Sequence, residues 1–285
     1  MKFDAMPWCQ RTLYTHAAKP VLDVLSFYRL LDSPVFPTAQ QLNCLAKQYY
    51  DGWEGPAFKA QSSFSADDTR YYEAIIKEDG QVPTREESWH DLFNGLIWLQ
   101  FPKTKSLLNR LHMQDICRNG AHPRTPRRNR ITHFDECGVI FAVEEANLDV
   151  GNRLLSALAK HEWKSVFVEQ NTQWQKCVHP VIFGHANFEM LLTPFTGLTA
   201  KWLCVKVPNG FSSKERKTQL RLLDAALYAR IRELDDFTPS AILKPVPLLG
   251  IPGWYPIQDS AFYDDKEYFR PLSAKAKNTI QLPLT

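Results

Sequence analysis

Residues 86–112, EESWHDLFNGLIWLQFPKTKSLLNRLH, constrain the fold more than any other segment. Ser88 can accept from the backbone N–H groups of a following turn, and Asp91, three residues on, suits the positive end of a helix. Leu92, Phe93, Leu96, Ile97 and Leu99 then bury that helix. Phe101-Pro102 breaks the pattern, and Leu107, Leu108 and Leu111 resume it, so a second helix runs antiparallel to the first, as a short connection demands.

The remaining pattern predicts an α+β fold. Helices are expected over 20–31 and 38–50. Residues 131–145, ITHFDECGVIFAVEE, read as two β-rich runs around a hairpin tip at Asp135–Gly138, with Gly138 free to take a positive φ. Asp149 is expected to cap a helix holding Leu154, Leu155, Leu158 and Ala159, residues 164–169 and 199–207 read as strands, and Ser212 with Glu215 has capping-box spacing for a long helix. The expected architecture is a helical N-terminal part, a small mostly antiparallel sheet covered by helices, and a C-terminal strap rich in aromatic residues and proline. With 285 residues, 44% of them hydrophobic, and no Gly/Ser linker or repeat, the chain is read as one compact domain over 1–285.

Composition excludes several classes. The 34 basic and 31 acidic side chains leave a formal charge of only +3, too little for a polyanion-coating protein. The most apolar windows, 95–99 and 137–143, fall far short of the ~20 residues that cross a bilayer, so no membrane partner is expected. Asp4, Gln10 and Arg11 interrupt any export signal. The six cysteines, at 9, 44, 117, 137, 177 and 204, lack the close pairs of a structural zinc site and are expected as reduced thiols in a cytoplasmic protein.

Four strings carry a resemblance: WHDLFNGLIWLQFPKTKSLLNRLH at 89–112, RRNRITHFDECGVIF at 127–141, FGHANFEMLLTP at 183–194 and PLLGIPGWYPIQDSAFYDDKEYFRP at 247–271. The chain resembles the bacterial family numbered 3025 among the domains of unknown function, over most of its length. That resemblance implies no activity. An Asp usually follows the family's Arg-Arg pair, where this chain has Asn129, so no carboxylate role carries over there.

Candidate functional residues come from spacing. His90 and Asn94 lie four apart on the first predicted helix, Asn109 and His112 three apart on the second, and His185 and Glu189 four apart in GHANFEMLL. Two imidazoles and two amides at one site could bind a metal, move protons or orient a carbonyl; the bland alternative is that they satisfy buried backbone groups. His185 and Glu189 suit neighbouring metal ligands, a base with its orienting carboxylate, or a plain surface pair. Asp135 and Glu136 read first as turn carboxylates; if functional, they would supply the anionic metal ligands that His90 and His112 lack. The stretch 118–130 holds Arg118, Arg124, Arg127, Arg128 and Arg130 and no acid, which suits phosphate or carboxylate. No phosphate loop, dinucleotide fingerprint, nucleophile elbow or kinase string occurs.

The resulting expectation is a small cytoplasmic enzyme, with hydrolysis as its leading reaction class. His90, Asn94, His185 and Glu189 are its catalytic candidates, and Asn109, His112, Arg124, Arg127, Arg128 and Arg130 would hold an anionic substrate. The alternative is a non-catalytic module gripping phosphate or nucleic acid with residues 118–130. Cofactor and metal are left open. Polar groups buried without partners cost about 1 to 3 kcal/mol each, so at least three of His90, Asn94, His112, His185 and Glu189 should meet in one cavity with the Arg segment at its rim.

Overall fold

A computed structural model of the chain describes residues 6–50 and 52–285; Asp4, on which part of the export argument rests, lies outside them. The helices are α1 (Gln10–His16), α2 (Lys19–Phe27), α3 (Ala39–Tyr49), α4 (Tyr72–Asp79), α5 (Trp89–Gln100), α6 (Pro102–Asn119), α7 (Pro126–Cys137), α8 (Leu148–Ala159), α9 (Asn171–Cys177), α10 (His185–Met190), α11 (Arg216–Glu233) and α12 (Ser260–Asp264). The strands are β1 (Ala57–Ala60), β2 (Gln81–Thr84), β3 (Gly138–Glu144), β4 (His179–Ile182), β5 (Thr199–Val207) and β6 (Lys244–Pro247).

The fold is α+β. Its main sheet has the order β4-β3-β5-β6, and β1 pairs in parallel with β2 apart from it. The central ladder, β3 on β5, is parallel from Gly138↔Lys201 to Glu144↔Val207, while β4 and β6 flank it antiparallel. Every residue of β3 is buried, as expected of a parallel strand covered on both faces; α7, α8 and α11 pack on this sheet.

The α5–α6 hairpin forms where the sequence places it. Ser88 Oγ accepts from Asp91 N at 3.2 Å, and ten of the twelve α5 residues are buried. Pro102 cannot continue the α5 hydrogen-bond ladder but suits the first position of α6. The new N-terminus is capped from a distance: Asp224 on α11 accepts from the N–H groups of Lys103 (3.0 Å) and Thr104 (2.9 Å).

Four sequence expectations are corrected. Residues 131–137 belong to α7 instead of a hairpin, because Thr125 caps Arg128 N at 3.1 Å and Pro126 occupies the first helical position. Ile131 and Phe134 are buried one helical turn apart, and Gly138 has an ordinary extended φ of −73°. Residues 165–169 form a π-helical turn instead of a strand, which buries the adjacent Val166 and Phe167 on one side. Before α11 no capping box forms: Glu215 occupies the N-cap without a side-chain bond, while Ser212 N and Gly210 N donate to Glu144. At α8, Asn147 holds the N-cap position and Asp149 lies within the first turn.

The C-terminal strap closes over the sheet. Tyr268 OH donates to Leu198 O (2.7 Å) and accepts from Leu249 N (2.9 Å), and Tyr263 OH donates to Gly250 O (2.9 Å). Farther on, the buried Gln281 donates to Trp202 O and Ile242 O and accepts from Cys204 N.

One contact sets the face that carries the candidate site. Where β4 leads into α10, the N–H groups of Phe183 (2.9 Å) and Gly184 (2.8 Å) both donate to Gly138 O, at the α7–β3 junction. A Cβ on Gly184 would lie 2.4 Å from Glu136 O and 2.4 Å from Gly138 N, so only glycine allows the approach. Gly184→Ala should therefore destabilise the protein by roughly 3 kcal/mol, lowering Tm by about 6 to 12 °C in calorimetry. A loss below about 1 kcal/mol would show that the two junctions part without cost.

Candidate functional site

α4, α5, α6, α7 and α10 send polar side chains into one cavity of about 390 Å³. His90 and Asn94 face it from α5, His112 from α6, Glu136 from the end of α7, and His185 from the first position of α10. Glu189, one turn farther along α10, stands outside the lining but holds His90: its Oε2 is 2.9 Å from His90 Nδ1. Gly184 fixes His185 beside Glu136, and the stacked rings of Phe93 and Phe188, 5.3 Å apart, fix α5 against α10.

The imidazoles touch. His90 Nε2 and His185 Nε2 are 3.1 Å apart with the rings edge to face, and Glu136 Oε2 is 3.4 Å from His185 Nε2 and 4.0 Å from His90 Nε2. The bond to Glu189 raises the His90 pKa despite partial burial. His185 is only 4% exposed, and burial pushes its pKa down to about 3, so its ring is neutral at physiological pH. Burial also raises the Glu136 carboxyl, against the pull of His90.

Behind this cluster lies a second network around Lys105, which is buried. Its Nζ is 2.5 Å from Asp135 Oδ1 and 3.0 Å from Asn94 Oδ1, and it stands over the Trp98 ring. Asn94 Nδ2 donates to Tyr72 OH at 2.8 Å. Burial works to raise the Asp135 carboxyl, yet the Lys105 charge, with lesser help from His185, holds it below its usual range. Asn109 does not line the cavity; it donates to the main-chain carbonyl (2.9 Å) and carboxylate (2.7 Å) of Glu73, which does. Burial drives the Glu73 carboxyl up to about 7 and the His112 imidazole down to about 4; His112 Nδ1 has no hydrogen-bond partner.

The arginines divide. Arg124 is exposed at the rim of the cavity and forms no ion pair among the described residues. The other three substrate candidates face elsewhere, which corrects the picture of an open Arg loop: from Pro126 onward the segment is helical, and its guanidinium groups fasten α7 to the rest of the fold. Arg127 pairs with Asp115 (3.0 Å) and donates to Asp236 O (2.8 Å), and Arg130 donates to Phe237 O and Thr238 O, both at 2.7 Å. Arg128 is fully buried, donating to Ala121 O at 2.7 Å.

Lys105, Glu73 and Tyr72 escaped the sequence reading. Lys105, Asn109 and His112 share one helical face, a signal present in the spacing 105, 109, 112. Glu136, which a hairpin would put at a turn with an anionic metal ligand as its functional alternative, lies instead in the last turn of α7 and faces the cavity.

The family profile described as "Protein of unknown function (DUF3025)" matches residues 57–273. The chain belongs to that family. No curated protein and no solved structure matches it. All the residues of the cavity fall within the matched span, so the site is a property of the family's region of the chain and not of its flanks.

Glu73 offers a test of the cavity's electrostatics. A carboxyl with a pKa near 7 folded and 4.5 unfolded binds its proton more tightly in the folded state, so stability falls as pH rises from about 4.5 to 7 and levels off above. Because the cavity leaves this side chain in contact with solvent, the loss is about 2 kcal/mol, below the full value of the shift. Glu73→Gln should flatten that part of the pH profile in urea unfolding between pH 5 and 7.5, and an unchanged slope would place the titrating group elsewhere.

Proposed function

We propose that the cavity is the active site of a hydrolase acting on a small anionic substrate. The observation that carries the reading is the meeting of His90, His185 and Glu136 at one point of the cavity wall, from three separate helices, below the exposed Arg124. Buried polar groups of a purely structural kind close on backbone partners, whereas these turn toward each other and the cavity.

In this reading the cluster activates water. The water oxygen bonds to the substrate's carbon or phosphorus, one water proton passes to the cluster, and the bond to the leaving group breaks with its electron pair going to that group. Glu73, with its carboxyl near neutrality, suits the donor that returns a proton to the leaving group. Asn94, held by Tyr72 and Lys105, presents a fixed amide, and Arg124 supplies the cationic grip on the anion. The acids around the cavity do not cancel that grip: Asp91 is paired with Arg85 and Asp135 with Lys105. A cytoplasmic setting belongs to the same proposal, supported by six cysteines that are all unpaired. No helix of the described residues is long and apolar enough to cross a membrane.

The test is turnover of para-nitrophenyl phosphate, bis(para-nitrophenyl) phosphate and a succinylated para-nitroanilide by the purified chain. His90→Ala should lower kcat/KM by about 100- to 10,000-fold with Tm nearly unchanged. Arg124→Ala should raise KM by about tenfold while kcat holds, as expected for uniform binding. Absence of turnover on all three substrates, or turnover indifferent to His90, overturns the reading.

A further inference from the structure

We infer that His90, His185 and Glu136 hold a divalent first-row transition-metal ion of the zinc class, open on one side to the cavity. The inference deepens the hydrolase reading and rests on it only for the use made of the ion, which would supply the activated water.

Protons carry the argument. Glu189 Oε2 lies 2.9 Å from His90 Nδ1. A carboxylate accepts and does not donate, so the ring proton is on Nδ1 and a neutral His90 turns a lone pair out through Nε2. That lone pair faces His185 Nε2 at 3.1 Å, and both nitrogens face Glu136 Oε2, at 4.0 and 3.4 Å. A proton on His185 Nε2 could serve one of the two acceptors in front of it and would leave the other facing a filled orbital. A single cation serves all three atoms together.

The spacing fits such an ion. Metal–nitrogen and metal–oxygen bonds of about 2.0 to 2.2 Å in tetrahedral geometry separate neighbouring donor atoms by about 3.3 to 3.6 Å. The three donors here are 3.1, 3.4 and 4.0 Å apart. Two imidazoles and a carboxylate, without thiolate, are the donor set of catalytic rather than structural sites. Glu189 behind His90 completes the carboxylate–histidine arrangement that orients a metal-bound ring. His185 is held in place through its backbone beside Gly184, whose close approach to Glu136 O and Gly138 N fixes the start of α10.

The experiment is a titration of the full chain, first dialysed against a chelator, with zinc(II) by calorimetry and with cobalt(II) by visible absorption. One ion per chain is expected, with cobalt bands of nitrogen and oxygen coordination. His90→Ala and Glu136→Gln, both partly exposed and tolerable to the fold, should each weaken zinc binding by at least about 100-fold. Glu189→Gln, a positioning change, should weaken it by about 10- to 100-fold. Failure of the unaltered chain to take up one equivalent of either ion overturns the inference, as does unchanged affinity in variants with native circular dichroism. A chain that binds zinc but cleaves no para-nitrophenyl substrate keeps the metal centre and loses the hydrolase. A chain that hydrolyses at full rate with chelator present and no metal bound keeps the hydrolase and loses the centre.

Discussion

A single carbonyl, that of Gly138, organises the functional face. By accepting from Phe183 and Gly184 together it ties the end of β4 to the start of β3, and so sets α10 against the end of α7. His185 and Glu136 are thereby placed through main-chain contact, with no flexible side chain in between. The third element, α5, is placed by packing: Phe93 stacks on Phe188, and a helical turn before Phe93 is His90. A main-chain clamp and an apolar stack thus share the work of holding polar groups from distant parts of the chain at fixed separations, as pre-organisation requires.

Four carboxylates line the cavity, and three of them are neutralised in different ways. Asp91 has Arg85, Asp135 has the buried Lys105, and Glu73 is shifted toward its protonated form, while Glu136 faces the two imidazoles without a Lys or Arg of its own. Charges left unpaired in such surroundings would cost several kcal/mol each. Arg124 stands exposed at the cavity without an ion pair among the described residues, while burial keeps His112 and His185 uncharged.

Local signals within four residues decide several elements, although the Asp149 cap and the Ser212–Glu215 capping box do not form. The Ser88 cap, the Phe101-Pro102 break, the 199–207 strand and the pairing of His90 with Asn94 on one helical face all follow from neighbours within four residues. The site was legible to the extent that its residues keep helical spacing. What failed was the decision between periods in short mixed segments. Residues 131–137 contain β-branched and aromatic side chains before a glycine, which imitates a hairpin, and only the Thr125-Pro126 start, five or more residues upstream, decides for helix. A hairpin would pair the Asp135-Glu136 carboxylates with His90 and His112, whereas the helix sets Glu136 beside His185 and His90 and engages Arg127, Arg128 and Arg130 with main-chain carbonyls. Lys105 was missed for a different reason: a lysine is read as exposed unless its partners are known, and Asp135 and Asn94 are 30 and 11 residues away.

The tail bears on a separate problem of sheets. β6 pairs with β5 only over Thr199–Trp202, so the outer edge of β5 beyond that point would present main-chain groups to any extended peptide nearby. Gln281 interrupts that row by taking the Cys204 N–H with its amide oxygen and giving its two amide hydrogens to Trp202 O and Ile242 O. One side chain thus stands in for a missing strand. A glutamate of the same shape could not, since an oxygen would then face the two carbonyls where hydrogens are needed. The position reads amide against acid, and through that choice it guards the sheet against templating by a second molecule.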